Sequence, residues 1–146
     1  MTEPTFEYFD EEMAANMLRS ASGLGGLPDY LAIRHIELIA GRLVAEMEAR
    51  AELLTPFGNL HGGCLSAFVD HCLGFVFYPV IPKGAWVATT EFKLNLIKPV
   101  SAGVCQATTQ VVALARRSGV ARIDVTNNDQ LVCAAQGTVT IVLPKT

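Results

Sequence analysis

Charge is scarce in this chain and nowhere clustered. Asp, Glu, Lys and Arg make up 17% of the 146 residues, the formal net charge is −3, and the longest basic run is Arg116-Arg117. A nucleic-acid partner requires a basic stripe or patch, so that class is excluded. Little charge on a chain that is 51% apolar also predicts that a partner subunit covers part of the surface. Cys64, Cys72, Cys105 and Cys133 form no CxxC or close Cys/His framework, and a free cysteine in an apolar segment behaves as a small hydrophobe. The start, Thr2-Glu3-Pro4, is polar and carries no signal peptide, which predicts a reducing cytoplasm as the home. No repeat, low-complexity tract or linker interrupts the chain, and the length is that of one domain, residues 1–146.

One run has the composition of a membrane span, Cys64 to Ile81. Asp70 and His71 lie mid-way along it, where an Asp costs about 2.5–3.5 kcal/mol in a spanning helix. Pro79 and Pro82 then end the run. A helix apolar almost all round reads instead as the buried central helix of a soluble fold, with no membrane partner.

Around that helix the apolar periodicity predicts an α+β chain. Phe9, Met13, Met17 and Leu18 recur at helical spacing over Tyr8–Ser22, behind the acids Asp10, Glu11 and Glu12. Gly23-Leu24-Gly25-Gly26-Leu27-Pro28 reads as a loop; it lacks the GxGxxG order and follows no strand, so no phosphate site is assigned. From Ile33 the period becomes two, with Ile36, Leu38 and Ala40 on one face. Gly41-Arg42 turns the chain and Leu43, Ala45, Met47 and Ala49 return it, a hairpin. Strands are predicted over Trp86–Ile97, Val104–Ala115, Val120–Thr126 and Leu131–Leu143, punctuated by Pro99, Gly103, Arg116–Gly119 and Asn127–Gln130. The order gives a core over residues 33–143, an antiparallel sheet able to wrap one buried helix.

Chemistry concentrates at Gly58-Asn59-Leu60-His61-Gly62-Gly63 and at Asp70. Paired glycines permit a tight turn and close approach to a ligand. The first N–H groups of a helix opened by such a turn have no intrahelical partner and suit an anion or a polarised carbonyl oxygen. A carboxylate two turns further along an apolar helix demands a reason.

These residues resemble the hotdog-fold acyl-CoA thioesterases, in the branch related to the phenylacetate-pathway thioesterase. That branch carries Asn-Pro-x-Gly-x-x-His-Gly-Gly with an acid nine residues after the histidine. Here the run is Thr55-Pro56-Phe57-Gly58-Asn59-Leu60-His61-Gly62-Gly63, with Asp70 at that spacing. Thr89 to Val100, closed by Gly103, resembles the strand and turn that follow, and the likeness spans roughly residues 35–143. It implies a sheet around a long central helix, an acyl-CoA substrate, and a homodimer or a dimer of dimers. Thr89 falls at the position that holds water, with Thr90 beside it. Thr55 departs from the usual Asn or Gln, and its hydroxyl reaches less far.

Gly62 or Gly63 N–H is then the candidate donor to the carbonyl oxygen, and Asp70 the general base or nucleophile. The two lie eight residues apart, about 12 Å along one helix. Both reach one carbonyl only if they come from different subunits. His61 either contacts substrate or fixes the turn. Arg116, Arg117, Lys93 and Lys98 are the available cations for coenzyme A phosphates, and Phe68, Phe75, Phe77 and Trp86 either line an acyl pocket or form core. His61, Cys64, Asp70, His71 and Cys72 do not converge on four metal ligands; no metal or cofactor is expected. Two competing readings are a non-catalytic acyl-CoA-binding module, favoured by Thr55, and a hydratase or dehydratase of the same fold.

Overall fold

Period-two alternation over residues 34–48 and 86–142 resolves into one antiparallel sheet. The computed structural model describes residues 4–20 and 22–145; Thr2 and Glu3 of the polar start, and Ala21 within the expected first helix, lie outside them. Strands β1 (Arg34–Ile39), β2 (Arg42–Glu48), β3 (Trp86–Leu96), β4 (Val104–Leu114), β5 (Ser118–Asn127) and β6 (Gln130–Val142) pair in the order β1-β2-β4-β5-β6-β3. Every neighbouring pair is antiparallel. Val111, Ile123, Val125, Val139 and Ile141 bury one face, while Gln106, Gln110, Arg122, Asp124 and Gln136 leave the other polar and exposed.

The buried face is filled by one helix. Helices α1 (Glu11–Ser20) and α2 (Leu27–Tyr30) precede β1, and α3 (Gly62–Phe75) lies between β2 and β3. On α3 the buried Leu65, Phe68, Val69, Cys72 and Leu73 follow the i, i+3, i+4, i+7, i+8 stripe of a core-facing helix. It sits so close to the sheet that a Cβ on Gly137 would fall 2.5 Å from the Leu73 side chain. Fourteen residues span about 21 Å, short of the ~30 Å hydrocarbon layer. This is the hotdog architecture, a sheet wrapped on a central helix.

Three details differ from the sequence reading. Helix α1 begins at Glu11 rather than Tyr8, because Asp10 caps it: its Oδ1 accepts from Met13 N–H at 2.8 Å. The glycine-rich loop runs into the single turn α2, with Pro28 in its first positions. Ile36, expected to face inward with Leu38, is exposed; the β1–β2 register shifts between His35 and Glu37, which makes Ile36 the extra residue of a bulge.

The two sheet edges are unequal. Strand β1 has six residues and contacts α1. Strand β3 has eleven, is mostly exposed, and pairs on one side with β6. A long open edge of this kind leaves a row of unpaired backbone groups.

Candidate active site

The turn before α3 is built by backbone hydrogen bonds. Thr55 N–H donates to Asn59 O at 2.7 Å and Gly58 N–H to Thr55 O at 2.9 Å, with Gly58 in the left-handed region at φ +83°. The Thr55 hydroxyl donates to Asn59 Oδ1 at 3.2 Å and accepts from Phe57 N–H at 3.3 Å. It is engaged within its own turn. Phe57 stands at the tip, 94% exposed.

His61 then starts the helix. Its Nδ1 accepts from Gly63 N–H at 2.9 Å, and its carbonyl accepts from Cys64 N–H at 2.9 Å. An accepting Nδ1 puts the proton of the neutral ring on Nε2. Gly63, one of the two donors expected from the sequence, is therefore occupied. Among the described residues no acceptor lies on Gly62 N–H. Both glycines are closely approached: a Cβ at Gly62 would lie 2.7 Å from Leu96 Cδ1, so the Leu96 side chain would have to move, and one at Gly63 would lie 3.0 Å from His61 Nδ1.

Asp70 is half-buried on α3, and its Oδ1 accepts from Thr89 Oγ1 on β3 at 2.6 Å. Thr90 bonds instead to Thr140, Oγ1 to Oγ1, at 2.8 Å. The fold thus brings Thr89, and not Thr90, to the acid. Gly62 and Asp70 share α3, so the helical rise holds them about 12 Å apart within one chain.

His71, next to Asp70, meets a residue that the sequence did not single out. His35 and His71 face each other Nε2 to Nε2 at 2.7 Å, and the His35 ring stacks on Phe75 at 4.0 Å and 11°. Burial holds His35 down at about 4, and His71 adds to the effect. Burial also lowers His71, opposed by the Asp70 carboxylate. Two neutral rings sharing one proton result. The partners are 36 positions apart in the chain, so no local pattern announces them. Cys72 is fully buried and its thiol is pushed up to about 12. No three His, Cys, Asp or Glu side chains converge as metal ligands among the described residues.

The expected cations separate. Lys98 Nζ donates to Gln130 Oε1 at 3.1 Å, close to the α3 turn, since Leu60 N–H donates to Val100 O at 2.6 Å. Arg116 and Arg117 lie at the β4–β5 turn. The eleven residues of β4 put about 33 Å between the two ends, so one chain cannot present all three to one phosphate group. Lys93 is exposed on β3 and bonds to Asn95. A cation not anticipated is Arg50: it hydrogen-bonds the Tyr30 carbonyl, pairs with Glu52 at 3.3 Å and lies over the Tyr30 ring. Of the four aromatics read as pocket or core, Phe68 and Phe77 are fully buried core, Phe75 stacks on His35, and Trp86 is half-exposed.

The thioesterase superfamily profile matches residues 57–134, which include the His61 turn, Asp70 and Thr89. The chain is 31% identical to the proofreading thioesterase EntH of Klebsiella pneumoniae over 68% of its length and 72% of that protein. It is 24% identical to the 1,4-dihydroxy-2-naphthoyl-CoA hydrolase of Listeria monocytogenes, over 80% of this chain and 95% of the other. Among solved structures, the PaaI protein of E. coli, from the phenylacetic acid degradation operon, superposes with a TM-score of 0.79 at 21% identity, over 90% of this chain and 92% of that one. A thioesterase of Haemophilus influenzae gives 0.75 at 23% identity, over 96% and 93%.

Proposed function

Since the chain belongs to the thioesterase superfamily, we propose that it hydrolyses an acyl-CoA thioester to the free acid and coenzyme A at a site made by two subunits. The observation that carries this reading is the pairing of a free donor with a separated base. Gly62 N–H opens α3 without an acceptor among the described residues, while Asp70, bonded to Thr89, stands two turns away.

The Gly62 N–H receives the thioester carbonyl oxygen and stabilises the charge that grows there, a contribution of about 2.7–4 kcal/mol for one such donor. Asp70 of the second subunit takes the proton of an attacking water, or attacks the carbon itself to form a mixed anhydride that water then cleaves to the free acid; coenzyme A leaves as the thiolate. Thr89 fixes the carboxylate by occupying Oδ1. The open β3 edge, which carries Thr89, supports pairing with a second copy. Two-fold pairing makes two equivalent sites. Lys98, at the α3 turn, is the cation assigned to the coenzyme A phosphates. Arg116 and Arg117 of the same chain lie at the far end of the sheet.

The His61 ring speaks against a hydratase, which needs an imidazole base, because its acceptor nitrogen already caps α3. The test is thiol release from short, medium, long and aromatic acyl-CoAs by wild type and Asp70→Asn. We expect turnover of at least one substrate and a fall of roughly a hundredfold or more in the variant. Acyl-CoA binding without thiol release by the wild type would overturn the reading in favour of a binding module.

A further inference from the structure

Arg50 follows β2 and joins α2 to the turn that opens α3. Its guanidinium donates to the Tyr30 carbonyl at the end of α2, lies over the Tyr30 ring at 5.8 Å and pairs with the exposed Glu52 at 3.3 Å. Its own carbonyl accepts from Leu53 N–H at 3.0 Å. Leu53 O in turn accepts from His61 N–H at 3.0 Å and from the Cys64 thiol at 3.9 Å. The N-cap of α3 therefore hangs from the turn Ala51–Leu53, which Arg50 opens. The guanidinium charge also reaches Cys64 in the first turn of α3, where it opposes the upward push of burial on the thiol. At the other end of the clamp, α2 is itself held: the Asp29 carboxylate accepts from Gly23 N–H at 3.0 Å and from Gly25 N–H at 2.5 Å. Arg50 Nε is buried with no acceptor among the described residues. An orphaned buried donor costs stability, and an apolar side chain of similar length would avoid that cost.

We propose that Arg50 is a positioning residue for thioester hydrolysis: through Leu53 and His61 it fixes the direction of the Gly62 N–H at the substrate carbonyl oxygen. This rests on the role proposed for Gly62 above. A catalytic donor must be held within about 0.5 Å of its productive place, and a misplacement of about 1 Å can cost about a hundredfold. Arg50 acts on the donor and not on bound acyl-CoA, so its loss lowers kcat and leaves KM.

Arg50→Met keeps an apolar stem and removes both the charged fork and the orphaned donor. We expect kcat at least about tenfold below wild type, with KM and melting temperature little changed. Arg50→Lys keeps the charge without the fork and falls between. Added guanidinium, at non-denaturing concentration, restores part of the kcat of Arg50→Ala and does nothing for wild type. Glu52→Gln, which removes only the exposed ion pair, leaves kcat unchanged. A lowered melting temperature with kcat intact would assign Arg50 to stability alone and overturn the proposal. The same geometry is read without substrate from the ¹⁵N-labelled chain: the Gly62 and Gly63 amide signals shift in Arg50→Met and Arg50→Lys and stay in place in Glu52→Gln. Unmoved glycine amides overturn the proposal whatever the activity does. An absence of thiol release from wild type counts against the hydrolase reading, while the amide shifts still decide whether Arg50 sets the direction of Gly62.

Discussion

Thr89 and Asp70, on different elements and 19 positions apart in the chain, are joined by a 2.6 Å hydrogen bond from the hydroxyl to one carboxylate oxygen. The bond ties the exposed edge strand β3 to the buried helix α3 and leaves the second oxygen of Asp70 for substrate or water. Thr89→Val keeps the shape and removes the donor. A hydrogen bond to a charged group contributes about 1.5–3 kcal/mol, so a fall in kcat of roughly tenfold or more is expected, with Thr89→Ser close to wild type. Thr90→Val, whose hydroxyl faces Thr140, has the smaller effect. Steady-state thiol release on the best acyl-CoA separates these outcomes.

The His61 ring has a definite structural duty. Because Nδ1 accepts from Gly63 N–H, His61→Ala removes an N-cap, and such losses average about 1 kcal/mol. His61→Asn restores an acceptor and with it most of the stability. Urea midpoints of the three proteins measure this; equal midpoints for wild type and His61→Ala would show that the cap contributes nothing.

What the sequence made legible was local. Alternation placed β3 to β6 to within a residue or two, since period two has no helical counterpart, and the glycine pair marked the start of α3. Relationships across the fold left no trace in the pattern. Which glycine N–H stays free depends on the direction of the His61 ring, and Thr55 is engaged because Asn59 closes its turn. Ile36 breaks the alternation through a bulge. Lys98 and Arg116 look interchangeable as basic residues beside turns, yet β4 separates them by its full length. Arg50 went unmarked because its partner Tyr30 lies 20 positions away in the chain.

Acid should weaken the protein through the His35–His71 pair. His35 is held at about 4 and His71 below its ordinary 6.5. The unfolded chain titrates both near 6.5, so below that pH it binds more protons than the native state. Stability is then full above about pH 6.5 and falls progressively toward pH 4. Allowing for the partial exposure of the pair, the loss is on the order of 1–2 kcal/mol. Thermal melts at pH 7.5 and 5.0 detect it. The double variant His35→Phe/His71→Leu should flatten the difference, and an unaltered slope in that variant would assign the acid sensitivity elsewhere.

The proposed two-subunit site makes a prediction that a one-chain site cannot meet. Asp70→Asn loses the base, and Gly62→Val fills the space against Leu96, so each homodimer is inactive. In a mixed dimer, one site takes Gly62 from the first chain and Asp70 from the second, and both are intact; the other site carries both lesions. Random exchange gives mixed dimers half of the time, each with one working site, so activity should recover to about a quarter of wild type. If Gly62 and Asp70 acted from the same chain, every site in the mixture would carry one lesion and none would recover. Mixing the purified variants under conditions that permit subunit exchange, then assaying thiol release against each variant alone, distinguishes the two arrangements. Exchange itself is followed by native mass spectrometry, so a silent mixture with mixed dimers present counts against the shared site.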